Sequence, residues 1–369
     1  MRSFDSDREI GMSVSSRLRS AALLVVILPP LFLDTAEAAG PAAPPALHII
    51  SDRPLPQALH EASDIRWASD TSVYLSLYRE GAVEASVDLD HPRVVKVIPG
   101  MREVGGTFCS GLAASPEYLV THGPLWITWR SVSEPTRKEE AFDSIHDLDV
   151  FQDRLLVVAA RRDDKGRFAP EGALAWLGSL RKGLSDLRPV AYDASGPGGK
   201  TLGACSTFQM GGARFLADGS FLVVPGVQPG IHLYSAEGKL LRTWDSGPIG
   251  LDADCASLTE QQIRRFATQF VPRVEWLNQR RTLDEILPLP QGPGLVVRSV
   301  SEGKARWSLK ILRQDGTVPT YTIPVSGQSE FAHLKGDVRG RKIVFVMSAS
   351  EKDGMKSDVS RLVLAETPK

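Results

Sequence analysis

The repeating unit of this chain is clearest in Ala213-Arg-Phe-Leu-Ala-Asp-Gly-Ser-Phe-Leu-Val-Val224, followed by Ile231-His-Leu-Tyr-Ser-Ala-Glu-Gly-Lys-Leu-Leu-Arg-Thr-Trp244. The first part is a polar turn that leads into a compact hydrophobic strand. The second part is two short strands joined by a turn in which a glycine follows an acidic residue. Such a glycine supplies the positive φ that tight hairpins need. The same hairpin returns without a gap at residues 309–323, and a looser copy spans residues 75–83.

The unit of polar turn and hydrophobic strand recurs six times along the chain. Its copies are residues 72–77, 117–122, 153–159, 218–224, 293–297 and 341–347. Two of these strands, residues 155–159 and 343–347, are apolar at every position, so both of their faces must be buried. A parallel sheet would bury such strands only with helices in its connections, whereas hairpins and loops connect them in this chain. The pattern therefore predicts an all-β fold, a six-bladed β-propeller over residues 57–369.

The repeat at residues 213–244 resembles one repeat of the NHL/TolB-like six-bladed propellers. The resemblance implies the propeller fold. That group of proteins includes protein-binding scaffolds, sugar or lactone hydrolases and lyases. The resemblance therefore does not choose between binding and catalysis.

One segment has helical rather than strand periodicity, at residues 257–283. Ser257 and Glu260 have the spacing of a capping box, and an apolar stripe at helical spacing follows. Pro272 is predicted to end the helix. We expect this short insertion to cap one end of the propeller.

The first 38 residues are predicted to be a cleaved secretory signal. Arg17 and Arg19 precede an apolar run at residues 21–33, and Ala36-Glu37-Ala38 offers small residues to a signal peptidase. The run has 13 residues, whereas a spanning helix needs about 20. An Ala/Pro-rich linker is predicted at residues 39–56, and either Met1 or Met12 could be the start. We expect an exported protein, periplasmic or extracellular, with no membrane span after removal of the signal.

The charge balance argues against a nucleic-acid partner. The chain has a net charge of −1, and the predicted signal carries four basic and five acidic side chains, which leaves 39 of each sign. A nucleic-acid binder normally has a basic excess on one face. We expect instead a monomer that binds a protein or a small-molecule ligand.

Three cysteines remain after the signal: Cys109, Cys205 and Cys255. Export permits a disulfide, but an odd number leaves one thiol over. The favoured pair is Cys205–Cys255, because both residues flank the fourth repeat. Cys109–Cys205 is the rival pair, and three unpaired thiols are a further alternative.

The strongest polar cluster is His146-Asp147-Leu148-Asp149, which we predict to lie directly before the inner strand of the third blade. Loops and strand starts of several blades converge at the channel of a propeller. Carboxylates suit Ca²⁺ and an imidazole adds a ligand suited to Zn²⁺, so His146, Asp147 and Asp149 are candidate metal ligands. Asp252 and Asp254, from a neighbouring blade, could complete the set. Alternatively, Asp147 and Asp149 bind backbone N–H groups in turns, as short acidic side chains commonly do.

Two functions follow from these observations. The leading hypothesis is a binding module that uses one end of the propeller channel, because the sequence has no nucleophile elbow, zinc-protease motif or phosphate-binding glycine pattern. The alternative is a metal-dependent hydrolase or lyase acting on a lactone, sugar or related ester. In that case Ca²⁺ or Zn²⁺ would polarise a carbonyl or activate water.

Overall fold

Six four-stranded antiparallel sheets make up the fold, and each is one blade of a propeller. The computed structural model describes residues 43–368, except 79–80, 88–92, 99–108, 132–134, 141, 162–171, 193–210, 328, 349–350, 353–354 and 357–359. The predicted signal peptide lies outside the described residues. The six blades confirm the predicted all-β propeller.

Within a blade, the strands succeed one another from the channel outward. Blade one has β2 (Ala62–Trp67), β3 (Ser72–Leu77), β4 (Gly81–Ser86) and β5 (Val94–Val97). Blade two has β6 (Gly111–Ala114), β7 (Tyr118–His122), β8 (Trp126–Ser131) and β9 (Arg137–Glu140). Blade three has β10 (Ser144–Phe151), β11 (Arg154–Ala160), β12 (Ala173–Ser179) and β13 (Arg188–Tyr192).

Blades four and five follow the same order, and blade six differs. Blade four has β14 (Gly212–Phe215), β15 (Phe221–Val224), β16 (Ile231–Tyr234) and β17 (Leu240–Trp244). Blade five has β18 (Thr282–Leu289), β19 (Gly292–Ser301), β20 (Lys304–Ile311) and β21 (Thr320–Ser326). Blade six has β22 (Leu334–Arg339), β23 (Lys342–Met347), β26 (Arg361–Glu366) and, outermost, β1 (Ile49–Pro54). The short strands β24 (Glu351–Lys352) and β25 (Met355–Lys356) form a separate ribbon.

The first and the last strand of the described chain meet in blade six. Strand β1 pairs antiparallel with β26, and the innermost strands contact one another in a closed ring from β2 to β22 and back to β2. We expected residues 39–56 to be a linker; in the structure, residues 49–54 of that segment belong to the propeller. Strand β1 therefore completes the last blade and closes the ring of blades.

The hydrophobic core lies between neighbouring blades. In β11, Leu155 and Val157 pack toward blade two, whereas Leu156 and Val158 pack toward Phe221 of blade four. The six predicted hydrophobic strands are confirmed, but the expectation that they are the innermost strands is wrong, because each is the second strand from the channel. The innermost strands are more polar because one of their faces lines the channel.

All six innermost strands run in the same direction, so their first residues meet at one end of the channel. The long connections into these strands, such as residues 245–281, reach the channel at that end, which we call the long-loop end. The opposite end has short turns, such as residues 152–153 and 340–341. Side chains near the start of an innermost strand therefore face the long-loop end.

The helical segment is divided into short pieces. They are α1 (Ser246–Ile249), a 3₁₀ turn (Cys255–Ser257), α2 (Glu260–Thr268) and α3 (Phe270–Asn278). The capping box is formed by Thr259 and Gln262, two residues later than the predicted Ser257 and Glu260. Pro272 does not end a helix but lies in the first turn of α3, where its missing N–H costs nothing. No described helix is long and apolar enough to cross a membrane.

Candidate functional site in the propeller channel

Three acidic residues occupy equivalent places in alternate blades. Asp64, Asp147 and Glu285 each follow a β-bulge in the innermost strand of blades one, three and five. A bulge inserts one extra residue and re-aims the side chains beside it. Each of the three side chains is at least nine-tenths buried. The channel thus has an approximate threefold arrangement of carboxylates near its long-loop end.

Each of these carboxylates binds a backbone N–H of the next blade. The bonds run from Leu112 N to Asp64 Oδ2 at 2.9 Å, from Ala213 N to Asp147 Oδ2 at 3.0 Å, and from Gly336 N to Glu285 Oε2 at 3.3 Å. Hydrogen bonds from backbone N–H to an ionised acceptor are among the stronger ones in proteins. These hydrogen bonds therefore connect blade one to blade two, blade three to blade four, and blade five to blade six.

Arg66 forms ion pairs with two of the three carboxylates. Its Nη1 lies 2.7 Å from Asp64 Oδ1 and 3.5 Å from Glu285 Oε2. Burial alone would raise the pKa of Glu285, but Arg66, Lys335 and Arg214 together hold it below its usual value. Burial raises the pKa of Asp64 above its usual value, although Arg66 opposes the shift.

Asp147 has no such cation. No Lys, Arg or His nitrogen of a described residue lies within 4.0 Å of its carboxylate, and its Oδ1 accepts no hydrogen bond from one. At the equivalent positions the second oxygen accepts the N–H of the following residue, Ile65 at 2.7 Å and Ile286 at 2.9 Å. Burial, only partly offset by Lys335, raises the pKa of Asp147 to about 7. Asp147 is thus the incompletely satisfied member of the set.

Lys335 extends from the innermost strand of blade six toward the same carboxylates. Burial alone would lower its pKa, but the carboxylates of Glu285, Asp147 and Asp64 raise it, so the ammonium is retained. It makes no ion pair shorter than 4.0 Å with a described residue, and it is partly exposed. Lys335 acts as a diffuse counter-charge rather than as a partner of one carboxylate.

His122 adds a neutral group to this end of the channel. Its ring is buried, its Nδ1 lies 3.1 Å from the carbonyl oxygen of Gly123, and burial lowers its pKa to about 4. At neutral pH this imidazole carries no charge. It does not supply the cation that Asp147 lacks.

A second charged layer lies deeper in the channel, toward the short-turn end. Arg214 pairs with Asp337 across the channel and lies 3.6 Å from Asp149 Oδ2. Asp149 also accepts the N–H of Phe215 at 2.8 Å, and Asp337 accepts that of Trp67 at 2.9 Å. These bonds connect blades three, four, six and one.

Asp284 sits between blades five and six. Its carboxylate accepts hydrogen bonds from Trp307 Nε1 at 2.6 Å and Leu334 N at 3.0 Å, and His333 Nδ1 lies 2.9 Å away. Burial opposes ionisation, but His333 and Arg298 hold the pKa of this carboxyl below its usual value. This fully satisfied group contrasts with Asp147.

Replacing Trp307 by phenylalanine should destabilise the protein by about 1–3 kcal/mol beyond the packing loss, because a buried carboxylate loses a donor. Trp126→Phe is the matched control, since Trp126 is equally buried and its Nε1 has no partner among the described residues. Urea unfolding of both variants measures the difference. Equal losses would show that the Trp307–Asp284 bond contributes nothing.

The structure brings only part of the predicted site together. Asp147 and Asp149 both lie on β10, inside the innermost strand rather than directly before it, and both bind backbone N–H groups of the next blade rather than of turns. His146 lies beside them, 3.2 Å from Ser144 Oγ through its Nε2. Asp252 instead pairs with Arg281 at the surface, at 3.0 Å.

Asp254 is also engaged elsewhere, since its Oδ1 accepts the N–H of Ala256 at 2.8 Å and caps the 3₁₀ turn. Within the described part of the chain, no three His, Cys, Asp or Glu side chains are grouped so that they could hold a metal ion. The Ca²⁺ or Zn²⁺ site stays a prediction.

Sequence reasoning missed most of the charged channel residues. The missed residues are Asp64, Arg66, Arg214, Asp284, Glu285, Lys335 and Asp337. A signal for three of them, Asp64, Asp284 and Glu285, was present. An apolar residue, a polar residue, an acidic residue and an apolar residue recur at 62–65, 145–148 and 283–286. This pattern marks the bulged start of the innermost strand in blades one, three and five.

A close approach of backbone and carboxylate makes Gly212 sensitive to substitution. A Cβ at this position would lie 2.7 Å from Asp147 Oδ2. Gly212→Ala should therefore displace the carboxylate and cost about 1–3 kcal/mol of unfolding free energy. Gly247→Ala is the control, since its nearest neighbour would lie at an ordinary 3.5 Å. Equal thermal stability of the two variants would contradict the close approach.

The cysteines are only partly described. Cys109 is a buried thiol whose Sγ lies 2.8 Å from Ser76 Oγ, which argues against the rival pair Cys109–Cys205. Cys255 is disulfide-bonded. Cys205 lies outside the described residues, so the pair Cys205–Cys255 stays a prediction.

Comparison with known proteins supports the fold and nothing finer. No family model matches the sequence, and no curated protein matches it. The structure is similar to a member of the DUF4221 family from Bacteroides vulgatus, with a TM-score of 0.50 and 9% identity over 86% of this chain and 95% of that one. It is similar to U3-55K to the same TM-score of 0.50, with 11% identity over 87% of this chain and 100% of that one. The chain is a six-bladed β-propeller.

Proposed function

We propose that this protein is an exported, non-catalytic binding module of the NHL/TolB-like kind, which takes its ligand at the long-loop end of the propeller channel. The observation that carries the proposal is the unequal satisfaction of three equivalent buried carboxylates. Asp64 and Glu285 share the guanidinium of Arg66, whereas the carboxylate of Asp147 accepts one hydrogen bond from the described residues. Buried polar groups are normally hydrogen-bonded, so Oδ1 of this 6% exposed side chain, which accepts no hydrogen bond from a described residue, is a place where a ligand or an ordered water can bind.

Export is supported by two independent features. The first is the basic flank, short apolar run and Ala-x-Ala site of residues 1–38. The second is the disulfide bond at Cys255, because such bonds persist mainly in oxidising compartments. Sequencing the N-terminus of the secreted or periplasmic protein tests this part, and a chain that keeps residues 1–38 in the cytoplasm would contradict it.

The binding function is tested by thermal-shift measurements of the purified protein against small ligands of several classes, namely amines, carboxylates, sugars and lactones. We expect a ligand whose stabilising effect is lost in Asp147→Asn and kept in Asp70→Asn. Asp70 is a suitable control, because its side chain is 85% exposed and pairs only with Arg339 at the surface among the described residues. Turnover of a lactone or sugar ester that chelators abolish would replace this proposal with the metal-dependent hydrolase or lyase.

A further inference from the structure

The carboxyl groups that face the channel outnumber the lysine and arginine side chains that face it. Among the described residues, five carboxyl groups meet across it with three lysine or arginine side chains. The acidic residues are Asp64, Asp147, Asp149, Glu285 and Asp337, and the basic ones are Arg66, Arg214 and Lys335. Arg66 pairs with Glu285 of blade five and Arg214 pairs with Asp337 of blade six, so these side chains reach across the channel. Buried charges are normally paired, and an unpaired one is costly.

One carboxylate of this set has no close cation among the described residues. All of the five carboxylates except Asp147 have a guanidinium nitrogen within 4.0 Å. Asp147 is 6% exposed and lies on the channel side of β10, where Lys335, Glu285, Arg66 and Asp64 act on it electrostatically. Its Oδ2 is held by Ala213 N, so the carboxylate is fixed with Oδ1 left to accept.

We infer that the long-loop end of the channel binds an ammonium group, carried by a primary amine ligand and received by Asp147 Oδ1. The inference rests on the proposed function and names the chemistry of its ligand. An ammonium group offers three N–H donors and one positive charge, which are the two things that Asp147 lacks. An anion is disfavoured, because it would enter a channel that already holds two surplus carboxylates.

Removing the charge of Lys335 is expected to have the opposite effect on amine binding from removing the charge of Asp147. Its ammonium lies near Asp147 without pairing with it, so it repels any cationic ligand that approaches. Removing the charge of Asp147 should weaken the binding of an amine, whereas removing the charge of Lys335 should strengthen it. An anionic ligand would respond to the same two variants with the opposite signs.

The test is calorimetric titration of the purified protein with n-butylamine hydrochloride, with sodium butyrate and 1-butanol as probes of equal size. We expect saturable binding of n-butylamine only. Asp147→Asn should weaken this binding by about tenfold or more, and Lys335→Met should tighten it by about threefold to tenfold, since one nearby charge is removed in each case. Asp70→Asn should leave the affinity unchanged. Circular dichroism verifies that each variant is folded.

An ammonium group can come from a small amine or from a lysine side chain of a protein partner, and titration with a peptide distinguishes the two. Acetyl-Gly-Gly-Lys-Gly-Gly-amide presents one lysine side chain and no terminal charge. Tighter binding of this peptide than of n-butylamine would assign the ammonium to a protein partner, and weaker binding would assign it to a small amine. Either result supports the inference.

Other outcomes overturn it. Absence of saturable amine binding, equal binding of 1-butanol, or the reversed signs in the two variants would each exclude an ammonium site. Calcium or zinc binding that Asp147→Asn removes, without amine binding, would replace the ammonium by a metal ion. If a sugar or carboxylate bound and was lost on Asp147→Asn, the ammonium inference would fail while the proposed binding function would stand.

Discussion

Replacing Arg214 by methionine is expected to lower the free energy of unfolding by about 3–5 kcal/mol, because removing one partner of a buried ion pair leaves the other charge uncompensated. In this case two carboxylates would be left, Asp149 and Asp337, and the side chain of Arg214 is only 6% exposed. Its pKa is raised because these carboxylates outweigh the effect of burial and of Arg66. Urea unfolding at neutral pH measures the loss.

Arg339→Met is the control for that experiment. Arg339 makes the same kind of ion pair with Asp70 at 2.5 Å, but the two side chains are 47% and 85% exposed. Exposed pairs contribute about 0–1 kcal/mol. A loss at Arg214 no larger than that at Arg339 would show that the deep layer of the channel does not hold the blades together.

The second large effect concerns pH. The folded-state pKa of Asp147 is about 7, above its usual 3.8, because burial disfavours the charged form. A raised pKa means that this carboxyl contributes stability below about pH 4, where it is protonated in both states. The contribution falls as pH rises and is lost above about pH 7, where the folded form also ionises.

Asp147→Asn removes this dependence, because an amide does not titrate. Between pH 4 and pH 8, the unfolding free energy of the wild type minus that of the variant should fall by up to about 4 kcal/mol, as about three pKa units correspond to that energy. Urea unfolding across this range measures it, with Asp70→Asn as the surface control. A difference that stays constant with pH would show that the pKa of Asp147 is not raised in the folded protein.

The fold was predictable because the second strand of every blade is buried on both faces. Strands such as β11 and β23 are hydrophobic at nearly every position, and six of them along the chain indicate six blades. The hairpin at 231–244 is confirmed as the two outer strands of blade four. The looser copy at 75–83 is a hairpin of the second and third strands instead. The turn glycine of a hairpin does not by itself indicate which two strands of a blade the hairpin contains.

The outermost strand of blade six could not be predicted in the same way. Ile49–Pro54 includes charged residues and two exposed positions at its end, and nothing local tells it from a linker. Its place is decided by pairing with Arg361–Glu366, roughly 300 residues away in the chain. A pairing of this length leaves no short-range pattern in the sequence.

Only some of the charged residues in the channel could be predicted from the sequence. Asp147 and Asp149 stand out because they adjoin a hydrophobic strand and lie two residues apart, on the same side of a strand. Arg66, Arg214 and Lys335 are single charges within otherwise ordinary strands. Only closure of the ring brings them together, since each comes from a different blade.

The most direct test of the account is a carbon-13 NMR titration of the Asp147 carboxyl, assigned by its absence in Asp147→Asn and recorded with and without saturating n-butylamine. We predict a pKa of about 7 for Asp147 without the amine, and a clearly lower pKa with it, because a bound ammonium group favours the ionised carboxylate. A pKa near the usual value of 3.8 without the amine, or one that the amine does not change, would contradict it.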